Sequence, residues 1–78
     1  MGETLWCVIE MVRGIPSVNL FRTKDLAINY FDSILHEFDD YKFKTFAEVL
    51  EAIGEDAGSW EEISYDNLTI CKLMVNEN

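Results

Sequence analysis

The stretch LWCVIEMVR, residues 5–13, decides the fold of this chain, because apolar side chains occur at both its odd and its even positions. Successive residues of a β-strand face opposite sides of a sheet, so these positions form two separate faces. The odd face holds Leu5, Cys7, Ile9 and Met11, and the even face holds Trp6, Val8, Glu10 and Val12. Two mostly apolar faces are typical of a central strand, or of a strand with an additional covered face.

The chain turns back directly after this strand. Gly14 tolerates positive φ and Pro16 fixes its own φ, so residues 14–17 are predicted to form a turn. Residues 18–22 alternate apolar and polar side chains in a shorter and more polar run. Such a run is typical of an edge strand, and residues 5–22 are therefore predicted to form a β-hairpin.

A first helix is expected after the hairpin. Thr23 is a helix-capping residue, and Asp25 follows in the first turn, where the helix dipole favours an acid. Apolar residues then recur at intervals of three and four, as in an amphipathic helix. They are Ala27, Tyr30, Phe31, Ile34, Leu35 and Phe38. Asp39 and Asp40 oppose the dipole at a C-terminal end, so the helix is expected to stop there.

A second helix is expected over residues 45–54. Thr45 is followed three residues later by Glu48, which is the spacing of a capping box, and Gly54 is well placed to end the helix. Its buried stripe is predicted to consist of Phe46, Val49, Leu50 and Ile53. Residues 59–62 repeat the capping-box spacing, which favours one further helical turn.

Residues 68–75 are rich in β-forming side chains and are predicted to form the last strand. The simplest assembly is one α+β domain, residues 1–78, in two layers: a three-stranded sheet with both helices on one face. If the first strand is central, the last strand runs parallel to it after the helical crossover. One sheet face then stays open, either Trp6, Val8 and Val12 or the opposite set, which indicates a homodimer or a docked partner.

Negative charge is concentrated in one part of the chain. Of 15 acidic residues, seven lie between residues 48 and 66, where there is no Lys or Arg, and they supply most of the formal net charge of −9. They are Glu48, Glu51, Glu55, Asp56, Glu61, Glu62 and Asp66. A field of one sign repels nucleic acid and anionic membranes and attracts basic surfaces. The expected partner is therefore a protein with a basic surface.

The predicted binding surface consists of six of these acids with Trp60 as an aromatic anchor among them. The six are Glu48, Glu51, Glu55, Asp56, Glu61 and Glu62. The alternative interpretation is a solvated helix face that only keeps the protein in solution, with Trp60 in the core. An ordinary solvated helix mixes charges of both signs, and this segment does not.

Catalytic, metal and cofactor signatures are weak throughout. His36 follows Asp32 by one helical turn, but no nucleophile can be placed beside the pair. Asp40 and Glu51 have the end-to-end spacing of a calcium loop, but lysines occupy ligand positions between them. No CxxC or HxxxH spacing and no phosphate-binding glycine pattern occurs. The sequence therefore predicts no enzyme, no metal site and no cofactor.

Cys7 and Cys71 lie in apolar β-like runs near the two ends of the chain. As free thiols of a reducing compartment they behave as small apolar residues, and if their strands are neighbours they can bridge on oxidation. No apolar run reaches the roughly 20 residues that cross a bilayer, and the N-terminus lacks the basic region of a signal peptide. The expected location is the cytoplasm.

Two functions fit these observations. In the first, the chain is an inhibitor or decoy whose carboxylates imitate nucleic-acid phosphates and occupy a basic site of a nucleic-acid-binding complex. Small acidic single-domain chains are common among phage-encoded antagonists of host defence, which is an analogy of size and charge. In the second, the chain is a structural or regulatory subunit that self-associates or docks through its apolar sheet face. The charge pattern favours the first.

Overall fold

Helices lie against one face of an antiparallel β-sheet in the computed structural model, which describes residues 2–56 and 58–76. The elements in chain order are β1 (Gly2–Val12), β2 (Ile15–Phe21), α1 (Lys24–Glu37), α2 (Phe46–Ile53), β3 (Glu62–Tyr65) and β4 (Leu68–Asn76). The strand order is β2-β1-β4-β3, with every neighbouring pair antiparallel. The two-layer α+β class is as predicted, but the sheet has four strands.

The prediction of a three-stranded sheet is wrong because β3 forms at residues 62–65, beginning at the last of the residues expected to make a further helical turn, where no strand was expected. Ile63 is buried opposite Ile70 of β4, and Tyr65 pairs with Leu68. The tight connection to β4 is possible because Asp66 adopts φ of 56°, a conformation that Asp tolerates better than most residues. One buried and one partly buried position in a four-residue strand give almost no periodicity, so pairing with β4 decides this segment.

The extra strand also reverses the predicted direction of the last one. β4 does lie beside β1, which is central as expected, but it runs antiparallel to β1. The helical connection leads to β3 at the far edge of the sheet, and the hairpin then turns the chain back between β3 and β1. The strand that shares the direction of β1 is therefore β3, which is not its neighbour.

Local signals set the ends of the helices and of the first hairpin. The Leu26 N–H donates to Thr23 Oγ1 at 3.2 Å at the start of α1, and Gly54 ends α2 with φ of 78°. Both caps were predicted and are confirmed. The β1–β2 turn consists of Arg13 and Gly14, with φ of 53° and 79°, so β2 begins earlier than expected. Positive φ at both positions matches the twist of a two-residue hairpin.

The main core lies between the helices and the even-numbered face of β1. Val8 is fully buried there, between the neighbouring strands and the helices. The other members of this core are Ala27, Phe31, Ile34, Leu35, Tyr41, Phe46, Val49, Leu50, Trp60, Ile63, Leu68 and Ile70. Since all of them lie on one side of the sheet or in it, the helices do not cover the odd-numbered face of β1.

Candidate functional site

Helix α2 turns two predicted carboxylates outward. Phe46, Val49 and Leu50 are buried against the core, so Glu48 and Glu51 lie on the exposed side. The Glu48 N–H donates to the Thr45 side-chain oxygen at 3.2 Å, and the Thr45 hydroxyl donates to Glu48 Oε1, also at 3.2 Å. This cap holds the first turn of α2, and with it Glu48, in a defined position.

The remaining acids follow α2 in a well-bonded loop. The Glu55 N–H donates to the Leu50 carbonyl at 3.0 Å, and Asp56 Oδ1 accepts from the Gly58 N–H at 3.2 Å. We call the following exposed residues the acidic surface: Glu48, Glu51, Glu55, Asp56, Glu61 and Glu62. All six are exposed along the segment that runs from α2 to Glu62, the first residue of β3.

Trp60 does not belong to this surface, and its predicted role as an exposed anchor is wrong. Only 4% of the residue is exposed. Its ring packs edge-to-face on Phe46 at 4.9 Å and on Trp6 at 5.2 Å, and the Lys24 ammonium lies 4.6 Å from its centre. The alternative interpretation of Trp60 as a core residue is correct, because the aromatic core closes over the loop that carries it.

A groove with apolar walls lies beside the acidic surface. It has a volume of ≈ 680 Å³ and lies along the line where α2 meets α1, between Ile28 and Leu50. Glu51, Glu55 and Asp32 also line it. Sequence reasoning missed this groove because its two walls come from different helices. The available signal was the partly exposed Ile28, which lies beside the buried stripe of α1.

The Asp32–His36 pair is not arranged for acid–base catalysis. Asp32 Oδ1 accepts the Phe46 N–H at 2.6 Å, so the carboxylate links α1 to the N-terminus of α2. His36 Nδ1 donates instead to the backbone carbonyl of Asp32 at 2.9 Å. A carboxylate that orients an imidazole must accept from its ring N–H, and this one is bonded elsewhere. Asp32 is therefore a structural contact between the two helices, and His36 is bonded within α1.

Two of the three predicted sheet-face residues lie beneath the helices. Val8 is fully buried, and Trp6 packs against Trp60 in the aromatic core. Val12, on the same side of β1, is exposed near the turn. The choice of Trp6 and Val8 as an interface is therefore wrong, since the helices cover their face, and the opposite set is the open one.

A second cleft lies at the turn end of the sheet and holds a buried phenol. The Tyr41 hydroxyl donates to Asn67 Oδ1 at 2.5 Å, and Asn67 Nδ2 donates to the Met11 carbonyl at 2.8 Å. Burial and then the negative charges of Asp66 and Glu10 raise the pKa of Tyr41. These bonds join the loop after α1 to both hairpins, so the cluster stabilises this end of the fold.

The two cysteines are direct cross-strand neighbours. Cys7 of β1 pairs with Cys71 of β4, and both are free thiols, Cys7 buried and Cys71 partly exposed. Burial, followed by the adjacent Cys71 thiol, raises the pKa of Cys7 from 9.0 to about 11. Cys7 is thus a poor nucleophile at neutral pH, because the thiolate is the reactive form.

We expect the free energy of unfolding to fall as pH rises from 9.0 to about 11. In that window the unfolded chain has released the Cys7 proton and the folded chain retains it, so deprotonation favours unfolding. The stability that the protonated Cys7 thiol contributes is fully present below pH 9.0. Denaturant titrations across this pH range should show that the free energy of unfolding declines less steeply in Cys7→Ala than in the wild type. A smaller decline should remain in Cys7→Ala because the pKa of Tyr41 is also raised. Equal declines in both chains would contradict the assignment to Cys7.

Within residues 2–56 and 58–76, no group of three or more His, Cys, Asp or Glu side chains is placed to hold a metal ion. In the same part of the chain, no helix has the length and apolar character needed to cross a membrane. Comparison of the chain with protein-family models, curated proteins and solved structures found no match.

Proposed function

We propose that this chain is a small non-enzymatic binding protein of the cytoplasm, an inhibitor or decoy whose acidic surface docks on a basic site of a nucleic-acid-binding protein. The observation that carries the proposal is the exposure of all six carboxylates along a segment that contains no Lys or Arg. A partner whose basic site binds phosphates can bind these carboxylates instead, because a capped helix and a hydrogen-bonded loop hold them in place.

The spacing of the acids suits this role. Glu48 and Glu51 are separated by about 4.5 Å along the axis of α2, from the helical rise of about 1.5 Å per residue. Phosphates along one strand of duplex DNA are separated by about 3.4 Å of helix axis. The two spacings are of the same order, so lysines and arginines placed to meet phosphates can also meet these carboxylates. Charge repulsion excludes direct binding of nucleic acid to the same surface.

The groove beside α2 supports contact that is not purely ionic. Its apolar walls at Ile28 and Leu50 lie next to Glu51 and Glu55, which also line the groove. Exposed ion pairs alone contribute little affinity, whereas an apolar group in a groove contributes by losing contact with water. An apolar side chain inserted here by a basic partner would therefore add affinity and fix the position of the partner.

A second function is favoured by a different surface. Val18 and Leu20 of β2 are 57% and 56% exposed on the sheet face that the helices do not cover. A structural or regulatory subunit that self-associates or binds a protein through that face would use the acids only for solubility. Binding of this kind tolerates salt, whereas binding through the acidic surface weakens as salt rises.

The test of the decoy function is a pull-down from a nuclease-treated lysate with three chains. The first is the wild type and the second carries Glu51→Lys, Glu55→Lys and Glu61→Lys. The third is a control with the same change of net charge elsewhere, combining Glu37→Lys, Asp39→Lys and Asp40→Lys; the three acids it replaces are also exposed. Glu48 is left unchanged because it takes part in the α2 cap.

We expect a basic nucleic-acid-binding protein to be captured by the wild type and by the control, and to be released by high salt. Capture by the acidic-surface variant should fall at least about tenfold, since like charges placed in an interface cost several kcal/mol. The proposal fails if both triple variants lose the partner equally, which indicates net charge alone. It also fails if capture persists in high salt or in the acidic-surface variant.

A further inference from the structure

The sheet face that the helices leave uncovered is a continuous apolar surface. We call it the open face. Its described residues come from three adjacent strands: Leu5, Cys7, Ile9, Met11, Val18, Leu20, Thr69, Cys71 and Leu73. Val18 and Leu20 are more than half exposed, Met11 is 43% exposed and Leu73 is 39% exposed. Monomeric soluble proteins rarely leave a contiguous apolar patch of this extent in water.

From these observations we infer that the chain forms a two-fold symmetric homodimer in which the open faces of two copies pack against each other. The register places apolar side chains of neighbouring strands side by side. Cys7 lies between Leu20 on one side and Cys71 on the other, and Ile9 lies between Val18 and Thr69. Two sheets of this kind pack face to face at about 10 Å, with their inner side chains interdigitated.

The charge distribution identifies the occupant as a second copy. Among the side chains that the structure describes on this side of the sheet, the charged ones lie at its margins: Glu62 on β3 and Arg22, which follows β2. A basic partner is attracted to the acidic surface and finds no complementary charge at the centre of the open face. A second copy presents an identical uncharged apolar patch, which the isologous symmetry of a two-fold dimer brings into register with the first.

The size of the open face is close to that of a small specific interface. Strands β1, β2 and β4 have 11, 7 and 9 residues, and at about 3.4 Å per residue and about 4.8 Å between strands they span roughly 440 Å² in flat projection. Interdigitated side chains bury more accessible surface than this projection, toward the roughly 600 Å² per partner at the lower end of specific interfaces. The domain is a slab with extents of 43 × 29 × 17 Å.

Repulsion between two copies that each carry a net charge of −9 does not prevent this packing. The slab is 17 Å thick, and most of its acids lie in the helical layer or along the margin rather than on the open face. Salt screens charges beyond roughly 8 Å at physiological ionic strength. Added salt should therefore leave the dimer unchanged or strengthen it, which is the opposite of its effect on a complex through the acidic surface.

Sedimentation equilibrium of the full chain between about 1 μM and about 100 μM tests the inference. The wild type should have twice the monomer mass of 9.0 kDa at the upper concentrations. Leu20→Glu should raise the dissociation constant at least about 30-fold, because a charge is then buried in the contact. Leu20 is more than half exposed in the single chain, so the variant should fold, which circular dichroism will establish.

Ile15→Glu is the matched control. Ile15 is 69% exposed on the same strand, β2, but lies on the opposite side of the sheet. The Ile15→Glu variant should therefore still form the dimer. The acidic-surface variant of the pull-down should also remain dimeric, so the two proposals can fail separately. Alkylation of Cys71 in the wild type should slow as concentration rises, because the dimer covers it.

A monomer mass for the wild type at about 100 μM overturns the inference. So does equal loss of the dimer in Leu20→Glu and Ile15→Glu, which would place the contact elsewhere. A rate of Cys71 alkylation that is independent of concentration, in samples that sediment as dimers, likewise excludes packing through the open face.

Discussion

Phe31→Ala should destabilise this chain by about 3–5 kcal/mol, a large share of its total stability. Phe31 is fully buried, and its ring packs edge-to-face on Phe46 of α2 at 5.2 Å. Removing a buried phenyl ring costs about 3–5 kcal/mol, from lost transfer free energy and the cavity that remains. A chain of 78 residues has a total stability of about 4–12 kcal/mol. The measurement is urea denaturation followed by circular dichroism at 222 nm.

Phe38→Ala is the control for Phe31→Ala, because it deletes the same side chain just beyond the end of the same helix. Phe38 is 44% exposed and makes a more distant ring contact, with Tyr41 at 6.2 Å. Its loss should cost about 1 kcal/mol or less. Equal effects of the two substitutions would mean that Phe31 is not central to the contact between the helices and the sheet.

Trp60→Ala should destabilise the chain by about 3–5 kcal/mol, whereas Trp60→Phe should cost about 1 kcal/mol. Phe costs less than Ala because it keeps an aromatic ring in the core, and it costs little in itself because the indole N–H that it removes is buried with no hydrogen-bond partner among the described residues. Burying a polar group without a partner costs free energy, so the phenyl ring loses area but also removes an unsatisfied donor. Both variants are measured by denaturation with circular dichroism, since the substitution changes the fluorescence.

The Trp60→Phe variant also separates stability from binding. Trp60 supports the loop that carries Asp56 and Glu61 but presents no surface to a partner. Capture of a basic partner should therefore be the same for Trp60→Phe and the wild type. If a folded Trp60→Phe variant failed to capture the partner, Trp60 would contact the partner directly, which would contradict its position in the core.

The helices could be predicted because their determinants are local. The Thr23 and Thr45 caps and the C-terminal Gly54 involve groups within a few residues of each other in the chain. Such bonds form in the helix itself, whatever the sheet does. The exposure of the acids on α2 followed from the same periodicity, since a helix with one buried stripe must turn its other side to water.

The sheet could be predicted only in part, because strand pairing joins residues that are far apart in the chain. The central position of β1 followed from its two apolar faces. The strand β3 could not be predicted, because Ile63 and Tyr65 become a recognisable alternation only when Ile70 and Leu68 lie opposite them. The direction of β4 could not be predicted either, because it depends on where β3 lies.

For the candidate site, the sequence by itself determined the charge: a contiguous acidic segment on a capped helix and loop, with no base to neutralise it. Only the tertiary structure decided which apolar groups lie beside that charge. It buried Trp60 in the aromatic core, opened a groove between α1 and α2, and directed Val8 rather than Leu20 toward the helices. The physical reason is that charge and caps belong to the residues themselves, whereas burial depends on the elements that pack against them.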